Sequence, residues 1–165
     1  DAQKRPCTFA IDLNSSPEKC HCFQLSDFIC FNRYYGWYLL GGYEMVNSEA
    51  AFRKELDAWL EKGVTCPFVF TEYGCDHLAG EHKLPSVQWS VEYEQEYLDL
   101  YHRVFDSYDC IKGEQIWNFA DFQTVEGIMR VNGNKKGVFT RQRQPKETAY
   151  ILKKRWEHLP VDYKG

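Results

Sequence analysis

No stretch of this chain approaches the roughly 18 consecutive apolar residues of a membrane-spanning helix, so no helical span is predicted. Positive charge is not in excess either. Twenty Lys and Arg stand against 24 Asp and Glu, a net charge of -4, which gives no reason to expect nucleic acid or an anionic membrane as partner. Cys20-His21-Cys22 is the one dense group of metal-ligand side chains, and no second pair follows it at zinc-finger spacing. Two ligands do not complete the four that structural zinc requires, so neither a metal nor another cofactor is expected. The seven cysteines are odd in number and scattered, several within apolar runs. They read as small buried hydrophobes in a reducing, cytoplasmic compartment. The opening Asp1-Ala2-Gln3-Lys4-Arg5 is unlike a secretory signal and lacks an initiating methionine, from which the chain is expected to be part of a longer protein.

What is present is core material: 44% apolar and 16% aromatic residues in 165, ample for one domain. Four apolar, β-branched or aromatic runs recur, at Cys7 to Ile11, Phe28 to Phe31, Phe68 to Phe70 and Gln115 to Phe119. Helical patterns lie between and after them. Ser48 reads as the cap of a helix carrying Phe52, Leu56, Trp59 and Leu60, stopped at Lys62-Gly63. Ser90 reads as the cap of a second, with Tyr93, Tyr97, Leu100, Tyr101, Val104 and Phe105 on one stripe. A third begins near Pro145 and runs through Ala149, Leu152 and Trp156. The stretch from Ser15 to Ser26 holds at most a short helix. Strands alternating with helices predict right-handed βαβ units and a parallel sheet. A spacing of about 40 residues between the later strands suits a (β/α)8 barrel with long functional loops. Four units are half of eight, and an open half would leave two unpaired edges. Residues 1–165 are therefore expected to be the C-terminal half of a TIM barrel, about four βα units, with the other half upstream.

The chemistry is expected at the C-terminal strand ends. In Pro67-Phe68-Val69-Phe70-Thr71-Glu72-Tyr73-Gly74 a carboxylate follows a strand predicted to be covered on both faces. Glu72 is thus a candidate acid, base or nucleophile, against the plainer reading of a paired structural carboxylate. The other strand ends carry Asn32-Arg33-Tyr34-Tyr35-Gly36-Trp37-Tyr38 and Trp117-Asn118-Phe119-Ala120-Asp121-Phe122. Aromatic rings bearing hydroxyl or indole donors beside a carboxylate suit a sugar, which offers CH faces for stacking and hydroxyls for hydrogen bonds. Any one of these rings by itself is better explained by core packing. The segment from Gln123 to Gln144 sets Arg130, Lys135, Lys136, Arg141 and Arg143 against one acid, Glu126, around a tight turn at Asn132-Gly133-Asn134. It reads as solvated surface charge, as a nucleic-acid contact, or as a clamp on a sugar carboxylate.

Four segments together carry a resemblance. Asn32 to Tyr38, Thr71 to Gly74, Gly113 to Phe122, and Arg130-Val131-Asn132-Gly133-Asn134-Lys135-Lys136-Gly137-Val138-Phe139-Thr140-Arg141 are similar to the C-terminal barrel half of the β-glucuronidases of glycoside hydrolase family 2, bacterial members above all. The resemblance runs from about Arg5 to Trp156. It implies a retaining glycosidase in which Glu72 is the nucleophile and Tyr34 an active-site tyrosine beside it. Tyr38 would contact the uronate and Trp117 would face the sugar. Asn134 and Lys136 match the Asn-x-Lys pair that holds the glucuronate carboxylate, and Arg130 a further basic residue near that group. The acid/base glutamate of an Asn-Glu-Pro motif has no counterpart here. Glu114 is not expected to replace it, because it precedes the apolar part of its strand, and Asp121 is expected to be structural. The partners implied are a glucuronide, the upstream barrel half and further copies of the full-length protein, with no nucleic acid and no membrane. A sister glycosidase acting on galactosides or galacturonides, and a non-catalytic carbohydrate-binding role, are the competing readings.

Overall fold

The computed structural model describes residues 3–159. The chain divides into two compact units. One holds the residues up to Tyr73 together with Leu100–Ile116, the other Gly74–Asp99 and the residues from Trp117 onward.

The first unit is built on a parallel sheet of four strands in sequential order: β1 (Ala10–Ile11), β2 (Ile29–Asn32), β3 (Phe68–Tyr73) and β4 (Ile111–Ile116). Sequential order with helices between strands is the βα succession expected of half a barrel. Helix α1 (Ser48–Glu61) turns Phe52, Leu56 and Trp59 inward. Helix α2 (Val91–Asp106) gives this unit its last turns, with Leu100, Tyr101, Val104 and Phe105 buried. Aromatic rings fill the space between helices and sheet. Phe70 lies 4.6 Å from Phe105 and 5.4 Å edge-on from Phe52, and Tyr73 stacks on Tyr101 at 5.3 Å. Each such pair adds about 0.5–1.5 kcal/mol beyond the burial of its area.

Three sequence expectations are corrected here. Phe68 and Phe70 are fully buried but Val69 between them is only half-buried, so the residues of this chain cover one face of β3 more completely than the other, in step with the alternation of side chains along a strand. The last strand is Ile111–Ile116, not Gln115 to Phe119; Lys112 and Gln115 are exposed on it. Its bounds are set by main-chain pairing with β3, from Phe68 opposite Ile111 to Tyr73 opposite Ile116, and that pairing does not need an unbroken apolar run. Glu114 therefore sits within β4, in register with Phe70 of β3. Ser48 is not the cap of α1. A 3-10 turn at Gly42–Asn47 leads straight into that helix, and the Ser48 hydroxyl donates to the Leu40 carbonyl at 2.9 Å. The Ser15 to Ser26 stretch holds one 3-10 turn, Cys22–Leu25.

In the second unit Ser90 does cap α2: its Oγ accepts the Tyr93 N–H at 3.2 Å. Helix α3 (Glu147–Glu157) begins just after Pro145 and buries Leu152. Between Phe122 and Asn134 the backbone closes a pair of hydrogen bonds of 3.2 and 2.8 Å around the turn at Asn132 and Gly133, whose φ angles are 58° and 91°. A Cβ on Gly133 would lie 2.6 Å from the Phe122 carbonyl oxygen, so both the positive φ and the close approach call for glycine.

Candidate active site

Glu72 lies inside β3, one residue before its end. The register between β2 and β3 shifts at this point: Phe31 pairs with Phe70, but Asn32 pairs with Glu72, so Thr71 is the extra residue. An extra residue of this kind turns the side chains that follow it, a device common beside reactive groups. Thr71 is held in place by donating to Asn32 Oδ1 at 2.7 Å. Tyr34 is 5% exposed, and its hydroxyl donates to Glu72 Oε2 at 2.7 Å. Tyr38 packs its ring against Tyr34, centroid to centroid 4.9 Å.

Burial, and then the hydrogen bond to the Glu72 carboxylate, push the Tyr34 phenol far above its ordinary range. Tyr34 is thus a fixed proton donor to Glu72 and not a competing anion. The folded-state value lies above the unfolded one, so this contribution to stability is complete below about pH 10, where an unfolded tyrosine begins to ionise, and is lost as pH rises beyond it. Denaturant titrations at increasing pH are expected to show stability falling above that point, with a shallower fall in Tyr34→Phe. An identical slope in the variant would show that the phenol is not coupled to folding.

The Tyr34 backbone is set by its neighbour. Arg33 is buried to 1% exposure, and its guanidinium reaches Glu55 at 2.7–3.0 Å and the carbonyls of Ile11, Asp12, Asn32 and Ser15 at 2.8–3.0 Å. Its own N–H donates to the Glu72 carbonyl at 2.9 Å. Tyr35 Oη and Trp59 Nε1 also donate to Glu55. This cluster ties β1, β2, β3 and α1 together, and through the Arg33 N–H it is bonded to the backbone of Glu72 itself. Arg33→Met leaves the Glu55 carboxylate without its cation and is expected to cost about 3–5 kcal/mol. A denaturant midpoint within error of wild type would refute that.

The basic segment belongs to the second unit, where much of its charge is already paired. Lys136, 1% exposed, places its ammonium on Oδ2 of Asp76, which is fully buried. Arg130 Nη1 approaches the same oxygen at 3.4 Å and donates to the Met129 carbonyl at 2.7 Å. Asn134, 2% exposed, accepts the Lys136 N–H at 3.0 Å and Asn118 Nδ2 at 3.2 Å through its Oδ1. With Oδ1 engaged twice, its Nδ2 is the atom with hydrogens to offer an anion. Lys146, also buried, bridges Asp121 at 3.2 Å and the carbonyls of His77 and Lys135 at 3.0 and 2.7 Å. Asp121 further accepts the Gly137 N–H at 3.0 Å, the structural role expected of it. Trp117 is half-buried, its ring edge-on to Phe122 at 6.2 Å. The Lys136–Asp76, Lys146–Asp121 and His77–Glu94 pairs, the last at 2.8 Å, are absent from the sequence reading. An aspartate two residues past Gly74 was the visible signal for the first.

The seven cysteines carry free thiols. Among the described residues no cluster of His, Cys, Asp and Glu has metal-binding geometry, and no helix is long and apolar enough to cross a membrane.

The comparisons agree with one another. A family model described as glycosyl hydrolases family 2, TIM barrel domain, matches residues 3–161. A beta-glucuronidase of Streptococcus agalactiae is 44% identical over 160 residues, covering 97% of this chain and 26% of the relative. A beta-glucuronidase of Homo sapiens is 39% identical, over 92% of this chain and 23% of that protein. Among solved structures, a beta-glucuronidase from Ruminococcus gnavus in complex with D-glucuronic acid superposes with a TM-score of 0.89 at 60% identity, over 92% of this chain and 26% of that one. The chain spans about a quarter of the length of these relatives.

Proposed function

The chain belongs to glycosyl hydrolases family 2, within its TIM barrel domain, and from that membership we propose that it supplies the nucleophile and the uronate-binding residues of a retaining β-glucuronidase. The observation that carries the proposal is the Glu72 carboxylate at the end of a parallel strand, held at 2.7 Å by a tyrosine that stays protonated. A carboxylate with one oxygen hydrogen-bonded and its orientation fixed is suited to attack an anomeric carbon. Retention needs a second carboxyl group about 5–5.5 Å away, which protonates the departing oxygen and then activates water. We assign that second group to the part of the parent protein upstream of this chain, so that residues 1–165 form the C-terminal portion of a catalytic barrel.

Lys136 and Asn134 would hold the substrate carboxylate, with Arg130 as a further cation and Tyr38 as a contact to the same group. Trp117 would lie against the sugar. A relative of 60% identity takes up D-glucuronic acid in its solved structure, which supports a glucuronide as substrate over a galactoside. The reaction requires no cofactor. A cytoplasmic setting is part of the proposal, carried by the odd and scattered cysteines of the sequence, and the full-length protein is proposed to act as a homo-oligomer.

With one of the two carboxyls supplied, the isolated chain is expected to hydrolyse no aryl glucuronide above background, whereas the full-length polypeptide turns it over. Release of the aryl alcohol by the purified chain, measured against a Glu72→Gln control, would show that the second carboxyl is present within these residues after all.

A further inference from the structure

Asp76 stands where the two cations assigned to the substrate meet. It is fully buried, in the segment that follows Gly74. Its Oδ1 accepts the Lys135 N–H at 2.7 Å, while its Oδ2 takes the Lys136 ammonium and lies 3.4 Å from Arg130 Nη1. One carboxylate thus touches the side chains on both flanks of the Asn132-Gly133 turn and the backbone next to it.

A lysine ammonium rides on a flexible four-carbon stem and has no preferred direction of its own. Buried at 1% exposure, Lys136 keeps one position only if something fixes both its ends. Asn134 Oδ1 fixes the backbone end by accepting its N–H, and Asp76 fixes the ammonium end. We infer that Asp76 is a positioning residue for uronate recognition: it orients Lys136, and through the shared oxygen Arg130, so that binding a sugar carboxylate requires no rearrangement of either cation. The inference rests on the proposed role of Lys136 and goes beyond it, since the aspartate touches the cations and not the sugar.

The test uses the full-length polypeptide that carries this chain, with aryl glucuronide and aryl glucoside as substrates and Asp76→Asn and Asp76→Glu as variants. Asparagine preserves the shape and can still accept the Lys135 N–H, so it isolates the charge. Asp76→Asn leaves the Lys136 charge in place but no longer fixed, and is expected to lower the glucuronide-to-glucoside ratio of kcat/KM by about three- to tenfold, a part of the charge-assisted contact that Lys136 itself makes. The loss is expected mainly in KM for the glucuronide, and Asp76→Glu should recover part of it. A wild-type preference that persists in Asp76→Asn overturns the inference and leaves the proposed function standing. No preference for glucuronides in the wild-type protein overturns both. If only Asp76→Glu folds, a ratio equal to wild type overturns the inference and a lowered one supports it. Failure of both variants to fold would assign the carboxylate to stability alone, which also overturns it.

Discussion

Replacing Glu72 with glutamine in the full-length polypeptide is expected to lower kcat for an aryl glucuronide by on the order of 10³-fold or more, with KM changed far less. The amide keeps the size of the side chain and can still accept the Tyr34 hydroxyl, so the 2.7 Å contact survives in kind. What disappears is the negative charge that attacks the anomeric carbon and offsets the positive charge developing there. Structure is not the expected casualty. Glu72 is half-buried, and the backbone around it is fixed by the β2 pairing and by the Arg33 N–H. A variant that melts like wild type and retains near-normal turnover would end the nucleophile assignment. A variant that melts much earlier would leave turnover uninformative, and Glu72→Ala with added azide would then serve, since a small anion entering the vacated space rescues a missing nucleophile but not a damaged fold.

The second large effect concerns which sugar is accepted. Truncating Lys136 to alanine would uncover the buried Asp76 carboxylate, and breaking a buried ion pair from one side costs about 3–5 kcal/mol of stability. Lys136→Gln is the better probe, because its amide can still donate to Asp76 while the charge is removed. The expected outcome is a fall of about 10- to 150-fold in the preference for glucuronides over glucosides, corresponding to roughly 1.5–3 kcal/mol for a charge-assisted hydrogen bond. Turnover of the glucoside supplies the internal reference. An unchanged ratio would detach Lys136 from the C6 carboxylate and restore the reading in which this basic segment is solvated or structural charge.

Much of the fold was legible because its signals are local. Phe68-Val69-Phe70 followed by polar residues marks β3, and the Tyr93 to Phe105 stripe marks α2 with its cap at Ser90. Local signals failed where tertiary context decides. Ile111-Lys112-Gly113-Glu114 looks too polar for a strand, yet main-chain pairing with β3 makes it one. Ser48 has the right residue type for a cap, but the preceding 3-10 turn gives its hydroxyl another partner. Cys7 to Ile11 reads as a longer run than the two residues that pair with β2.

For the candidate site the division is similar. Glu72 and Tyr34 stand out by position at the ends of apolar runs. The surplus of cations between Gln123 and Gln144 was visible as well. Its resolution was not, because the partners come from afar: Asp76 lies 60 residues before Lys136, and Lys146 reaches Asp121 across 25. No periodicity reports a contact over such distances. Such contacts are made only when the chain closes on itself, and their consequence is that part of an apparently free basic loop is internal structure.

The most direct test of the account is to trap the intermediate it requires. A glucuronyl fluoride with fluorine in place of the C2 hydroxyl destabilises the oxocarbenium-like transition state, while its good leaving group still allows the first step. The glycosyl ester should then accumulate on the attacking carboxylate. Incubation with the full-length polypeptide, proteolysis and fragment mass analysis should place a single adduct on Glu72. An adduct on any other carboxylate, or steady turnover with inversion at the anomeric carbon and no adduct, would contradict the account.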